Sequence, residues 1–264
     1  MKEENMDRPA GYGDVGEMSH GYWSKRAEEF SRLRMKDYDS PMREAFFYFL
    51  KENLPSGRGM GRNQGIRALD IGCGAGFFSL FLDKLGCQVT AVDFSEEMLE
   101  QARINAREKG CGDIRFLQMD AQNLEFEDGV FDFIVTRNVT WILPDTKKAY
   151  SEMLRVLKPG GRLINMDANY GQVFNAADAR GEQPSHPTQS QEQLRLRNRI
   201  ASGLDITKAA RPQWDIMNLW EDGISSIRCI RDVEEYLGIK EWNQNYTRAS
   251  AGSKAVMFAV IADK

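Results

Sequence analysis

Three glycines and three acids raise the first chemical question in this chain. "LDIGCGAGFF" places Asp70 just ahead of Gly72, Gly74 and Gly76. Asp93 follows in "TAVDFS", twenty-three residues after Asp70, and Asp120 follows in "LQMDAQNL". Alternating glycines let the main chain turn tightly and let a ligand rest against bare backbone. A helix starting near Gly76 offers unpaired N–H groups to an anionic part of that ligand. An acid about 20 residues further on suits the hydroxyls of a ribose. Asp70 argues against a pyrophosphate, which its carboxylate would repel, and for a ligand bearing an ammonium group. Asp120 is placed to accept from an adenine amino group. Taken singly, each acid is also consistent with a helix cap. Three acids at one sheet edge, together with the glycines, form a constellation.

The elements that position these residues are legible from pattern. "SHGYWSKRAEEFSRLRM", Ser19 to Met35, predicts a helix through Tyr22, Ala27, Phe30 and Leu33. "SPMREAFFYFLKENL" predicts a second, with Ser40 as cap and Pro41 in its first turn. "PSGRGMGRNQG" reads as a loop. Strands and helices then alternate. "IRALDIG", "CQVTAVDF", "DIRFLQMD", "FDFIVTRN" and "GRLINMDAN" are strands. The helices between them include "GFFSLFLDKLG", closed by Gly86, "SEEMLEQARINAREKG", capped by Ser95, and "DTKKAYSEMLRVL", capped by Asp145. Such alternation means a parallel sheet covered on both faces. Residues 170–211 break it with a long polar segment, which predicts a lid or binding insertion. "RPQWDIMNLWEDG" predicts a helix, and "ISSIRCIRDV" and "SKAVMFAVIADK" two last strands.

Composition excludes several classes. The chain has 264 residues, 42% of them hydrophobic, enough for a sizeable core. Lysine and arginine total 35 against 39 acids, a formal net charge of −4, and no basic stripe stands out. A nucleic-acid backbone is therefore not the expected partner. Cys73, Cys87, Cys111 and Cys229 have neither paired nor metal-ligand spacing, which predicts inert thiols in a reducing compartment and no metal. "MKEENMDRPAGYGD" lacks the apolar stretch of a secretory signal, and no run nears the ~18 apolar residues of a membrane span. A soluble, cytoplasmic protein is expected.

At this point the residues resemble the class I S-adenosylmethionine-dependent methyltransferases. "LDIGCGAGFFSLFLDKLGCQVTAVDFSEEMLEQARINA" is similar to that family's first two motifs, and "FDFIVTRNVTWIL" and "MLRVLKPGGRLI" to its fourth- and fifth-strand motifs. The likeness runs from about Ile66 to Asn169 and is most like the small-molecule branch of methyltransferase types 11 and 25. It implies an α/β fold: a Rossmann-like, doubly wound, mostly parallel seven-stranded sheet with helices on both faces. An N-terminal helical cap and an insertion after strand five complete it. One domain over 1–264 is expected. Its parts would be a cap at 1–60, a cofactor core at 66–169, a lid at 170–211, and a last helix and two strands at 212–264.

The resemblance also implies S-adenosyl-L-methionine as cofactor, with S-adenosyl-L-homocysteine as product. By position, Asp70 would lie near the cofactor's amino group, Gly72 and Gly74 would pass beneath its methionine and ribose, and Cys73 and Gly76 would be further cofactor contacts. Asp93 would hold the ribose hydroxyls. Phe94 and Met98 would flank the adenine, with Asp120 and Ala121 at its polar edge. Asn138 would face the methionine part, and Tyr22 is a further candidate to contact the cofactor. The family fixes no catalytic residue.

Methyl transfer to a small molecule is an in-line displacement, so alignment and exclusion of water dominate. The acceptor should sit over the ends of strands four and five. Trp23, Trp141, Asn169 and Tyr170 are candidates to bind it, and His20, Tyr22, Asn138 and Asp167 are candidates to act in catalysis. A general base helps only an acceptor that still carries its proton. Arg195, Arg197 and Arg199, in "RLRNR", could engage an acidic acceptor. Each candidate has a plainer role: His20 as a solvated helix start, the tryptophans as core, and the three arginines as a solvated helix face. No nucleic-acid or membrane partner is expected, and the chain should be a monomer or homodimer. Two alternatives stand beside transfer. One is a cofactor-binding protein without turnover. The other is an NAD-dependent oxidoreductase, which would need a phosphate-tolerant glycine turn without Asp70.

Overall fold

The computed structural model describes residues 14–55, 65–180, 189–220, 223–240 and 255–264. His186 and most of the predicted 55–65 loop lie outside the described residues. The helix predicted over Ser19–Met35 is two helices, α1 (Asp14–Ser24) and α2 (Ala27–Tyr38). They part at Arg26, whose φ of −106° and ψ of 1° leave helical geometry. Its guanidinium folds over the Tyr22 and Trp23 rings, at 5.3 and 5.7 Å. The apolar spacing is continuous across the break, so periodicity alone could not show it. α3 (Met42–Asn53) follows, with Met42 N donating to Ser40 Oγ at 3.2 Å.

The alternating core comes next. β1 (Arg67–Ile71), α4 (Phe77–Lys84), β2 (Gln88–Asp93), α5 (Glu96–Glu108) and β3 (Arg115–Gln118) form its first half. β4 (Phe131–Arg137), α6 (Thr146–Val156) and β5 (Leu157–Ala168) form the second, with a 3-10 turn at Thr140–Ile142. Ser95 and Asp145 cap α5 and α6, accepting from Met98 N and Lys148 N. The segment after β5 folds as α7 (Tyr170–Ala179), α8 (Gln191–Ser202) and a 3-10 turn at Asp205–Lys208. α9 (Gln213–Trp220), β6 (Ser226–Ile230), α10 (Val233–Tyr236) and β7 (Met257–Asp263) complete the described chain.

The seven strands lie in the order β3-β2-β1-β4-β5-β7-β6. β1 to β5 run parallel, and β7 enters antiparallel between β5 and β6. Strand order reverses between β1 and β4, where Asp70 pairs with Val135, so a crevice opens beyond their carboxyl ends. Alternate residues of β4 feed opposite faces: Phe133 and Val135 join Phe46, Phe77 and Leu99, while Ile134 joins Leu69, Tyr150 and Met153. Burial on both faces is why these strands read as near-continuous apolar runs. Each fully buried leucine or isoleucine contributes about 1.5–3 kcal/mol.

A third apolar cluster joins the cap and insertion above the crevice. It contains Tyr22, Trp141, Ile142, Ile200, Leu204 and Ile206. α2 is tied to the core as well, because Asn105 Nδ2 donates to Ser31 Oγ and to Ala75 O, both at 2.9 Å. No described helix is long and apolar enough to cross a membrane.

Candidate active site

Beyond the strand ends lies a cavity of about 240 Å³ whose wall includes the glycine turn, the ends of β2 and β4, the cap and the insertion. The turn from β1 to α4 requires positive φ at Gly72 (63°) and at Gly76 (85°). A Cβ on Gly72 would stand 2.3 Å from Val139 Cγ2, and one on Gly76 would stand 3.3 Å from Ala102 Cβ. Conformation and close approach therefore both demand glycine at Gly72. Gly72 and Gly74 line the cavity, whereas Gly76 starts α4 behind it.

Asp93 is the acid at the cavity wall. Its Oδ2 accepts from Gly74 N at 2.8 Å and its Oδ1 from Ser95 N at 3.0 Å. Burial raises its pKa and these backbone donors oppose that shift. A carboxylate has about four acceptor sites, so both oxygens keep capacity for ligand hydroxyls. Phe94, Met98 and Ala121 line the wall nearby. His20 meets Phe94 edge-on, with centroids 4.9 Å apart. Its Nε2 lies 3.4 Å from Ser24 Oγ, which is 3.0 Å from Ser95 Oγ. The cap is thereby joined to the end of β2.

The other two strand-end acids are set back. Asp70 is 2% exposed, and its Oδ2 accepts from Ser79 Oγ at 2.6 Å. Burial pushes its carboxyl up to about 7, against the pull of Ser79. Asp120 Oδ1 accepts from Gln122 N at 2.8 Å, and it is the neighbouring Ala121 that reaches the cavity. Cys73 is buried behind the turn, and desolvation, followed by Asp93 and Asp70, holds its thiol far above the usual range. This disfavours the thiolate that a nucleophilic role would need.

Tyr22, Trp23, Asn138, Trp141 and Tyr170 all line the cavity. Tyr22 Oη donates to Gln189 Oε1 at 3.1 Å and accepts from Arg26 Nη1 at 3.0 Å. Asn138 sits at φ 58°, the sole positive φ outside glycine among the described residues. Its Oδ1 accepts from Tyr170 Oη at 3.1 Å and its carbonyl from Trp141 Nε1 at 3.0 Å. Trp141, Tyr170 and Phe174 form an aromatic wall, with the Trp141 centroid 5.3 and 6.0 Å from the other two.

Asp167 and Asn169, expected at the acceptor, do not line this cavity. Asp167 is 0% exposed. Its Oδ2 accepts from Thr140 Oγ1 at 2.5 Å and Trp141 N at 2.9 Å, and lies 3.5 Å from Arg211 Nη2. Asn169 donates to Ala209 O and Gln172 Oε1, both at 3.0 Å. Arg197 faces the cavity, 3.6 Å above the Phe174 ring, instead of lying on a solvated helix face.

Sequence reasoning missed Phe30, Arg26, Arg34 and Arg137, which also line the wall. Arg137 carried the same signal as the acids, a charged residue ending an apolar strand.

Comparison with known proteins agrees with this architecture. A family model described as a methyltransferase domain matches residues 69–165. An uncharacterized methyltransferase of Bacillus subtilis (strain 168) is 41% identical over 101 residues, 38% of this chain and 40% of that protein. A demethylmenaquinone methyltransferase of Lactococcus lactis subsp. lactis (strain IL1403) is 32% identical over 152 residues, 55% of this chain and 60% of that one. The chain spans about half the length of the relatives it matches. Phosphoethanolamine N-methyltransferase 2 of Haemonchus contortus, solved with S-adenosyl-L-methionine, shares the fold. Its TM-score is 0.59 at 19% identity, over 97% of this chain and 58% of that one. Residues 69–165 are thus similar to a methyltransferase domain, and the fold is similar to that of a methyltransferase solved with S-adenosyl-L-methionine.

Proposed function

We propose that this cavity binds S-adenosyl-L-methionine and that the chain transfers its methyl group to a small-molecule acceptor. The observation that carries the reading is Asp93, whose carboxylate is fixed by Gly74 and Ser95 across a turn that a Cβ at Gly72 would obstruct. A cradle without side chains, an oriented acid and an apolar flank at Phe94, Met98 and Ala121 fit an adenosyl group with an amino-acid tail. When bound, this cofactor supplies a methyl group already activated by a sulfonium.

The residues of the chain do the remaining work. Asp93 accepts from the ribose hydroxyls. Asp70 supports the amino end from behind the turn. Asn138, held by Tyr170, borders the methionine part and the acceptor space. Trp23, Trp141 and Phe174 exclude water and align the acceptor. Alignment of this kind is worth roughly 7–11 kcal/mol in favourable systems. Asp70 also opposes a pyrophosphate, which disfavours NAD.

Calorimetric titration with S-adenosylmethionine, S-adenosylhomocysteine and NADH tests the reading. Micromolar affinity for the first two and none for the third is expected. No affinity for either adenosyl compound overturns it, and affinity without turnover on any acceptor leaves a binding protein.

A further inference from the structure

Among the described residues four arginines line the cavity, Arg26, Arg34, Arg137 and Arg197, against one acid, Asp93. Two of the four have nearby acids: Arg26 Nε lies 3.4 Å from Glu29 Oε2, and Arg34 Nη2 lies 3.0 Å from Asp37 Oδ2. Arg197 donates to Asn198 Oδ1 at 3.1 Å. Arg137 stands apart. Its guanidinium makes no hydrogen bond or ion pair with any described residue, and its Nε is buried without a partner among them. Its guanidinium carbon lies 4.8, 5.0 and 5.8 Å from the ring centroids of Phe77, Phe46 and Phe78.

Those rings attract the cation but leave its buried Nε–H without an oxygen acceptor among the described residues. Desolvation, then the nearby charge of Arg34, lowers its pKa to about 10, so it remains charged near neutrality. A charged donor fork in an apolar cage matches a ligand that brings two acceptor oxygens, as a carboxylate or phosphate does. Its place also separates it from Asp93. Arg137 ends β4, beside Asn138, while Asp93 ends β2 on the far side of β1.

We propose that the methyl acceptor carries an oxyanion, a carboxylate or a phosphate, and that Arg137 receives it beside Asn138 and Tyr170. This rests on the methyl-transfer reading above. A cationic acceptor would meet a sulfonium and four guanidinium groups within one cavity, and like charges there raise the free energy of binding. An oxyanion relieves that repulsion and supplies an acceptor for the buried Nε–H of Arg137. The rival occupant is the cofactor's own carboxylate, and the test separates the two.

Benzoate and inorganic phosphate are titrated separately into protein saturated with S-adenosylhomocysteine, so that the cofactor's carboxylate is already in place. Wild type, Arg137→Lys and Arg137→Gln are compared. Saturable binding of at least one probe to wild type is expected, with benzoate and phosphate reporting which oxyanion fits. Arg137→Gln should weaken it about tenfold or more, Arg137→Lys should retain part of it, and affinity for S-adenosylhomocysteine should stay within about twofold. Wild type that binds S-adenosylhomocysteine but neither probe overturns the proposal, whether or not the variants fold. So does equal probe affinity in Arg137→Gln, or a variant that loses S-adenosylhomocysteine instead of the probe. Wild type that binds no S-adenosylhomocysteine overturns the methyl-transfer reading on which the proposal stands.

Discussion

Gly74 N donates to Asp93 Oδ2 at 2.8 Å, tying the glycine turn after β1 to the end of β2. With Ser95 N on the other oxygen, the carboxylate is oriented by main-chain donors before any ligand arrives. Two strand ends that sequence presents as separate motifs are therefore one device. A preoriented acceptor loses little entropy when a diol meets it.

Replacing Asp93 should weaken cofactor binding without unfolding the chain. Hydrogen bonds to a charged group contribute about 1.5–3 kcal/mol, so Asp93→Ala should weaken S-adenosylhomocysteine roughly 10- to 150-fold. Asp93→Asn keeps one acceptor for Gly74 N and should lose less. Calorimetry on both variants checks this, and affinity equal to wild type contradicts the role given to Asp93.

Gly72→Ala should be damaging through contact as well as conformation. The new Cβ would lie 2.3 Å from Val139 Cγ2, at a φ of 63°. Overpacking costs typically 1–3 kcal/mol, and the left-handed backbone adds about 1–2. Adding Val139→Ala removes the clash but not the backbone strain. Denaturant unfolding of both single variants and the double should show a favourable coupling of about 1 kcal/mol. Strict additivity would mean that Val139 is not the obstacle.

Much of this site was legible because strand ends are marked by a change from apolar to charged residues. The acids at the ends of β1, β2 and β3, the caps at Ser95 and Asp145, and the alternation itself are local signals. Partners remote in sequence were not. Asp167 looked like a free acid at a strand end, yet it meets Thr140 and Trp141, twenty-seven and twenty-six residues before it, and Arg211 after the insertion. Asp70 likewise faces Ser79, nine residues on, where the helix after the turn brings it back. The break between α1 and α2 was hidden because its side chains keep helical spacing.

Asp70 gives the protein a pH dependence whose sign is fixed. Burial raises its carboxyl from 3.8 to about 7. The folded state therefore binds the proton more tightly than the unfolded chain. The stabilisation is complete below about pH 4, declines as pH rises towards about 7, and is gone above that. In full it amounts to roughly 4 kcal/mol. The unfolding free energy of wild type relative to Asp70→Asn should fall over that window and level off beyond it. An ammonium brought near Asp70 favours the carboxylate, so S-adenosylhomocysteine should bind with proton release near pH 7 in wild type and not in Asp70→Asn. Calorimetry in two buffers of different ionisation enthalpy measures that release, and a flat stability difference from pH 4 to 8 would remove the argument.

Arg211 and its two acids should govern stability and the setting of Trp141, without taking part in proton transfer. Arg211 Nη2 lies 2.7 Å from Asp215 Oδ1 and 3.5 Å from Asp167 Oδ2, and all three side chains are inaccessible to solvent. Desolvation opposes the arginine's charge, but Asp167 and Asp215 outweigh it and keep it protonated. Tyr150 Oη donates to Asp215 Oδ1 at 2.5 Å, and Asn165 Nδ2 donates to Tyr150 Oη at 2.6 Å, so the charges are embedded in a buried network. Removing one partner leaves a buried charge uncompensated, at about 3–5 kcal/mol. Arg211→Met and Asp167→Asn should each lower stability in chemical denaturation. In the folded fraction, affinity for S-adenosylhomocysteine should remain within about threefold of wild type. Because Asp167 holds the Trp141 N–H, Asp167→Asn should also alter the tryptophan signals in near-ultraviolet circular dichroism, which a distant loss of stability would leave unchanged. An Asp167→Asn protein of wild-type stability, with a methyl-transfer pH profile lacking its acidic limb, would make Asp167 the general base after all.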